Sequence, residues 1–242
     1  MNARRQGFST ERLLESLARL PRPRRYWVGF SGGADSTALL QALYESRDHL
    51  AAPLHAVHFH HGLHDSADQW LEHCRAFCLE RDIPFLGEHL EVVADSRGSL
   101  EEAARDARYR VVARLLQPEE MFLTAHHAQD QAETLFLNLM RGSGPAGLAG
   151  IGLLTPFAAG WLVRPLLDVP RAAIRAYAEQ QRLRWVEDPS NTELRYDRNL
   201  LRQRVLPQLR EHWPGLAPVL RRKAIIIGIA AATRMRVGFA LV

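Results

Sequence analysis

An apolar run, Tyr26 to Phe30, followed at once by Ser31-Gly32-Gly33-Ala34-Asp35-Ser36-Thr37, leaves this chain little choice of architecture. The run reads as a buried strand, and 37–47 reads as a helix. A strand entering a helix through a Gly-rich turn gathers unpaired backbone amides and the positive end of a helix dipole at one point, which attracts phosphate. The dipole contributes about 0.3–1 kcal/mol and each charge-assisted bond roughly 1.5–3 kcal/mol, so several converging donors dominate. Gly32 and Gly33 carry no Cβ to obstruct close approach, Ser31 and Ser36 offer hydroxyls, and Asp35 can hold Mg²⁺ against phosphates.

Two phosphate loops are excluded. A Walker A loop needs a Lys, and the only Lys is Lys223. The dinucleotide pattern Gly-x-Gly-x-x-Gly is absent after the first strand; Gly142, Gly144 and Gly147 satisfy it, but a helix precedes them. That glycine-rich stretch, 141–152, reads as a flexible loop.

A chain of 242 residues can bury a full core, and a net charge of +4 makes it mildly basic. All basic residues but Lys223 are Arg, which suits bidentate phosphate contacts and stacking on bases. Two Cys, Cys74 and Cys78, are too few for a disulfide framework or a zinc site and read as free thiols. Reduced thiols, no visible signal peptide and apolar runs too short for a bilayer give a cytoplasmic expectation.

Strand and helix patterns alternate along the chain. A helix over 9–20 capped by Ser or Thr precedes the loop unit; then come a strand over 53–59, a helix capped by Asp65 and reaching 81, and a strand over 83–93. Ser99 and Glu102 form a capping box for a helix to 116, a strand covers 121–125, and a helix starts at His126 or His127 and ends at Met140. A short strand over 161–166, a helix over 171–182, a strand ending in a turn over 185–191 and an Arg-studded helix over 195–210 follow. This is an α/β fold, a doubly wound, mainly parallel sheet with helices on both faces, followed by a small helical extension. Ligands of such sheets bind beyond the carboxyl ends of the strands, where the loops 31–36, 59–64 and 126–130 are expected to meet.

His126, Asp130 and Glu133, at i, i+4 and i+7, are expected on one helix face. Its carboxylates suit a cationic amine or a second Mg²⁺, or are simply a solvated helix start. His58, His60, His61 and His64 lack further ligands for a tetrahedral metal site; phosphate or base contacts fit them better. Arg105, Arg108 and Tyr109 can share a helix face, either solvated or facing a ligand.

The chain resembles the tRNA(Ile)-lysidine synthetase family of N-type ATP pyrophosphatases, the PP-loop superfamily. The likeness rests on Ser31 to Ser36, Val57 to His64, Glu101 to Tyr109 and His126 to Thr134, and continues through Arg141 to Leu148, Arg164 to Leu167, Asp188 to Asn191 and Tyr196 to Arg202. Departures are His60, where the family usually has Asn, and Gln129, where it usually has a second Asp. Members commonly continue into C-terminal domains that help hold tRNA; here the likeness fades near Arg221, and 223–242 reads as an atypical tail, whether natural, truncated or altered.

The resemblance implies an adenine nucleotide alpha hydrolase-like domain over 1–183 and a helical extension over 184–222 on the tRNA and active-site face. It implies an ATP-dependent ligase joining free L-lysine to C2 of the wobble cytidine in the CAU anticodon of tRNA(Ile). ATP and Mg²⁺ are the expected cofactors, no membrane partner is expected, and a homodimer is compatible with the sequence. Ser31, Gly32, Gly33, Ala34, Asp35, Ser36, His58 and His126 are expected to bind ATP, with Asp35 also on the metal. Asp130 and Glu133 are expected to bind lysine and, with Asp35, to be catalytic. Arg105, Arg108, Asn191, Arg195, Arg198 and Arg202 are expected to face tRNA. The alternatives are a PP-loop tRNA thiolase and an ATP- or tRNA-binding domain without turnover.

Overall fold

The computed structural model describes residues 7–92, 100–213, 215–216 and 219–220. They fall into two compact units, one drawn from Met1–Ala125 and Leu153–Glu187, the other from His126–Gly152 and Asp188–Val242. Residues 126–152, expected in the first domain, therefore group with 188 onward. The proposed tail at 223–242 and the cap at Ser99 lie outside the described residues.

The first unit holds a six-stranded sheet in the order β3-β2-β1-β4-β6-β5. Its strands are β1 (Arg25–Gly29), β2 (Leu54–His60), β3 (Phe85–His89), β4 (Glu120–Leu123), β5 (Leu154–Phe157) and β6 (Gly160–Val163). Every pairing is parallel except β5 with β6. The edge strand β5 is absent from the sequence reading because Pro156 interrupts its pattern; an edge position tolerates the missing donor. No strand forms over 185–191, where Pro189 removes a ladder donor and Asp188 instead caps a short 3₁₀ helix, Pro189–Thr192.

Alternation along β1 fixes both layers. Tyr26, Val28 and Phe30 point into one core with α1 (Thr10–Ala18), α2 (Ala34–Glu45) and α3 (Ala67–Leu79), through Leu13, Leu39, Leu40, Leu43, Cys74 and Phe77. Ile174 and Tyr177, on the helix Arg171–Gln180, join them. Trp27 points the other way, where Val112 and Leu116, at the end of α4 (Leu100–Leu115), meet Val57, Phe122 and Leu162. Ser9 caps α1 as expected, its Oγ accepting from the Arg12 amide at 3.4 Å. Ser66, not Asp65, occupies the cap position of α3, and its side chain makes no cap bond.

Strand order reverses between β1 and β4, since the chain goes out from β1 to β2 and β3 and returns on the other side. The carboxyl end of β1 is thus the topological switch point, where ligands of open α/β sheets sit.

In the second unit α5 (Ala128–Met140) starts at His127, whose side chain and Asp130 form a reciprocal capping box. His126 therefore precedes the helix and does not share its face with Asp130 and Glu133. The stretch expected as a flexible loop contains a short helix, α6 (Pro145–Leu148), and two side-chain anchors. Gln131 bonds both backbone groups of Ile151, at 2.6 and 3.1 Å, and Asn138 Nδ2 donates to Gly147 O at 2.7 Å. With Arg171–Gln180 as α7, the expected helix over 195–210 is α8 (Asp197–Leu200), a π turn (Leu201–Val205) and α9 (Leu206–His212).

Candidate functional site

The loop after β1 is shaped by its own backbone. Gly32 sits at φ +80°, a conformation L side chains rarely adopt. Its carbonyl accepts from the Val186 amide at 2.9 Å and from Thr37 Oγ1 at 3.2 Å. Thr37 Oγ1 also donates to Gly33 O at 2.9 Å, and Ser36 Oγ donates to the same carbonyl at 3.0 Å. Gly33 caps α2 without a side chain, so the first amides of that helix meet no capping group from it. Ser31 Oγ lies 3.0 Å from Ser36 Oγ, which brings both hydroxyls to the same turn.

The two glycines do different work. A Cβ on Gly32 would meet Cys74 Sγ at 3.0 Å and Val186 Cγ2 at 3.1 Å, whereas one on Gly33 would meet nothing closer than Ser31 Oγ at 3.5 Å. Gly32→Ala is therefore expected to destabilise the fold by about 1–2 kcal/mol from the left-handed backbone alone. Gly33→Ala is expected to leave stability within about 0.5 kcal/mol, since its methyl makes only ordinary contacts with Ser31 Oγ and Val186 O, at 3.5 and 3.9 Å, yet weaken ATP binding by crowding the loop. Thermal melts and nucleotide titration of the two variants check this contrast.

Asp35, in the first turn of α2, places Oδ2 3.5 Å from Arg171 Nε. Its hard carboxylate oxygen fits Mg²⁺, which takes one or two carboxylates and completes its shell with phosphate and water oxygens. Arg171 was not anticipated; the only local signal is its position just after Pro170 at the start of α7.

His58 is buried, and its Nδ1 lies 2.9 Å from Phe30 O, the last carbonyl before the loop. Burial lowers its pKa, aided by His60, His61 and Arg108, against the opposing effect of the Phe30 bond. Cys74 Sγ donates to the same carbonyl at 3.7 Å, and burial raises the pKa of both thiols, Cys74 and Cys78. The other histidines of the stretch turn elsewhere: His60 Nε2 pairs with Asp68 Oδ1 at 2.9 Å, and His64 stacks on Trp70. Arg105 and Arg108 are exposed on α4, with Arg105 over the Tyr109 ring at 5.7 Å. Arg164, which carries part of the resemblance but was given no site role, is buried at the end of β6, donates to Thr155 Oγ1 at 2.8 Å and bonds Tyr109.

The second unit brings four of the expected residues together. Glu133, 0% exposed, accepts from Arg198 Nε at 2.7 Å and from Arg202 Nε and Nη2 at 2.8 and 2.9 Å. Asp130 Oδ1 accepts from Arg198 Nη2 at 3.2 Å and Arg202 Nη2 at 3.3 Å, while Oδ2 takes the His127 amide at 2.8 Å. Arg198 and Arg202, expected on the tRNA surface, thus form a charge-balanced quartet with the two carboxylates. Asn199, buried between them, donates to Ser190 O and Glu193 O at 2.8 and 3.0 Å and ties the Asp188-to-Asn191 turn to this helix. Asn191 and Arg195 are exposed, and half-buried His126 acts on Asp130 through its charge.

Burial alone pushes the Asp130 carboxyl up, but His127, Arg198, His126 and the His127 amide together outweigh it, and the net shift is downward. A folded value below the unfolded one, about 3.9, means stabilisation that is present above about pH 4 and lost as pH falls through the folded value. The melting midpoint is expected to drop on acidification below about pH 4, and Asp130→Asn to flatten that slope, as read by circular dichroism.

A glycine cradle at the switch point of a parallel sheet marks an α/β protein that grips nucleotide phosphates. Residues 8–209 match the PP-loop domain family, and the chain belongs to it. It is 46% identical over 203 residues to the tRNA(Ile)-lysidine synthase of Proteus mirabilis (strain HI4320), covering 83% of this chain and 46% of that protein. With the tRNA(Ile)-lysidine synthase of Alkalilimnicola ehrlichii the identity is 47% over 217 residues, covering 90% and 49%. The chain spans about half the length of the curated relatives it matches. Among solved structures, the U34-tRNA thiolase NcsA from Methanococcus maripaludis with its 4Fe-4S cluster has a TM-score of 0.73 at 18% identity, covering 89% of this chain and 76% of that one. At that identity the likeness concerns the fold alone. No helix among the described residues is long and apolar enough to cross a membrane.

Proposed function

We propose that the protein joins free L-lysine to C2 of the wobble cytidine in the CAU anticodon of tRNA(Ile), converting ATP to AMP and pyrophosphate. The observation that carries this reading is the 31–36 loop, a Gly-rich turn into α2 whose first amides meet no capping side chain from Gly33. The name of the relatives at 46% and 47% identity, tRNA(Ile)-lysidine synthase, supports tRNA(Ile) as the substrate.

In the first step the cytidine C2 oxygen attacks the α-phosphorus of ATP, and pyrophosphate leaves as the adenylated base forms. Ser31, the amides of Gly32 to Ser36 and the Ser36 hydroxyl hold the leaving pyrophosphate, where preorganised donors offset developing charge. Asp35 would hold Mg²⁺, which would supply further charge neutralisation on the phosphates. In the second step the side-chain amine of lysine attacks C2 and AMP departs. Asp130, 11% exposed, is the carboxylate an incoming amine reaches; Glu133 holds Arg198 and Arg202 around it. The amine has a reference pKa of about 10.4 and must lose a proton before attack. A splayed anticodon base calls for Arg and aromatic contacts, the chemistry Arg105, Arg108, Asn191 and Arg195 offer. His58 is the remaining ATP contact proposed in the first unit.

The thiolase alternative has less support. An iron–sulfur cluster takes several thiolates, and this chain has two Cys, both buried with raised pKa values. Release of AMP that requires both this tRNA and lysine tests the proposal. Tight ATP binding with no lysine-dependent AMP would favour a binding domain without turnover.

A further inference from the structure

Two adjacent glycines give the turn after β1 little orientation of its own, since Gly adopts positive and negative φ almost equally well. The direction of the Gly32–Gly33 peptide has to come from its partners. Its carbonyl accepts from the Val186 amide at 2.9 Å, and the nearby Thr37 hydroxyl adds a longer bond at 3.2 Å. In a planar trans peptide C=O and N–H point opposite ways, so turning the Gly32 oxygen toward Val186 turns the Gly33 N–H away from it. That N–H lies 3.4 Å from Ser31 Oγ, longer than a good N–H···O bond. The anchor is itself fixed. Val186 belongs to 183–187, a segment that follows α7 and forms no strand. The Leu183 amide donates to Ala178 O at 2.9 Å, and Leu183 and Trp185 pack against the core cluster shared by β1 and α2. Glu187 Oε1 accepts from Arg175 Nη2 at 2.9 Å and from Trp185 Nε1 at 3.4 Å, which ties the far end of the segment back to α7.

We propose that Val186 is a positioning residue for the loop: its main-chain amide, carried by 183–187, sets the Gly32–Gly33 peptide so that the Gly33 N–H faces the pyrophosphate of a bound nucleotide. This inference rests on the reading of 31–36 as the pyrophosphate grip. Val186 acts through Gly33 and not on the phosphates, so the segment after α7 serves as a strap that holds the grip in its donating form.

The test replaces Val186 in the full chain by its α-hydroxy acid, which puts an ester oxygen in place of the amide N–H and keeps the side chain. Affinities for inorganic pyrophosphate and for AMP are then measured on this protein and the wild type. The ester protein is expected to bind pyrophosphate about three- to thirtyfold more weakly, the worth of one hydrogen bond weakened or lost, and AMP within about twofold. Equal pyrophosphate affinity in the two proteins overturns the proposal. So does an equal loss for pyrophosphate and AMP, which a merely structural role would give. Hydrogen exchange of the wild type decides the matter even if the ester protein fails to fold. The Val186 amide is expected to exchange at least about tenfold more slowly than an unprotected peptide, and more slowly again with pyrophosphate bound. Exchange at the unprotected rate overturns the proposal. Wild-type protein that binds neither pyrophosphate nor AMP brings down the loop reading itself, so the two failures are told apart.

Discussion

Replacing Asp35 by Ala is expected to lower lysine-dependent AMP release by about 10²–10³-fold, the cost of removing one preorganised electrostatic contact at a transition state. The fold should tolerate the change. Asp35 is 25% and its partner Arg171 36% exposed in the side chain, and an ion pair this open contributes at most about 1 kcal/mol. Lost turnover with a near wild-type melt therefore separates a chemical role from a structural one. Full turnover in Asp35→Ala would remove the metal assignment.

Glu133→Ala is expected to be the most destabilising single change in the described residues of the second unit. Glu133 is wholly buried and accepts three guanidinium bonds, from Arg198 and Arg202. Deleting it removes the three bonds these cations make to its carboxylate, and breaking a buried pair from one side costs about 3–5 kcal/mol. For a chain of this size that lowers the melting midpoint by roughly 6–20 °C. Removing both signs together tells a different story: Glu133→Leu with Arg202→Met should recover part of the loss, because a packed apolar pair can replace a buried ionic one. The double variant should nevertheless stay inactive, since the charged set that holds Asp130, the carboxylate proposed to receive lysine, is broken. Chemical denaturation of both variants decides this, and a single variant as stable as wild type contradicts the quartet.

Local pattern carried the first unit well. The alternation of Tyr26, Trp27 and Val28, the two glycines and the helix that follows are all short-range signals; β1 and its turn form where those signals place them, while α2 starts three residues early, at Ala34, and takes in Asp35 and Ser36. The spacing of Asp130 and Glu133 likewise put both carboxylates on one helix, though His127 proved to be its cap and left His126 outside.

What stayed illegible is long-range choice of partner. Arg198 and Arg202 lie 65 and 69 residues beyond Glu133, and nothing local distinguishes them from the solvated Arg residues around them. Val186 reaches the Gly32 carbonyl from a segment that looks like a strand and makes none. Pro156 hides β5, because a residue that forbids a central strand is harmless on an edge. In each case the sequence names the residue type and the fold alone names its neighbour.

The central claim, that ATP activates a tRNA base for attack by lysine, is tested most directly on the product. Unmodified tRNA(Ile) with a CAU anticodon is incubated with the protein, ATP, Mg²⁺ and labelled lysine, then digested to nucleosides for mass analysis. The account predicts a labelled cytidine derivative heavier by one lysine less one water, formed together with AMP. A cytidine of unchanged mass, under conditions where ATP binds, would contradict it.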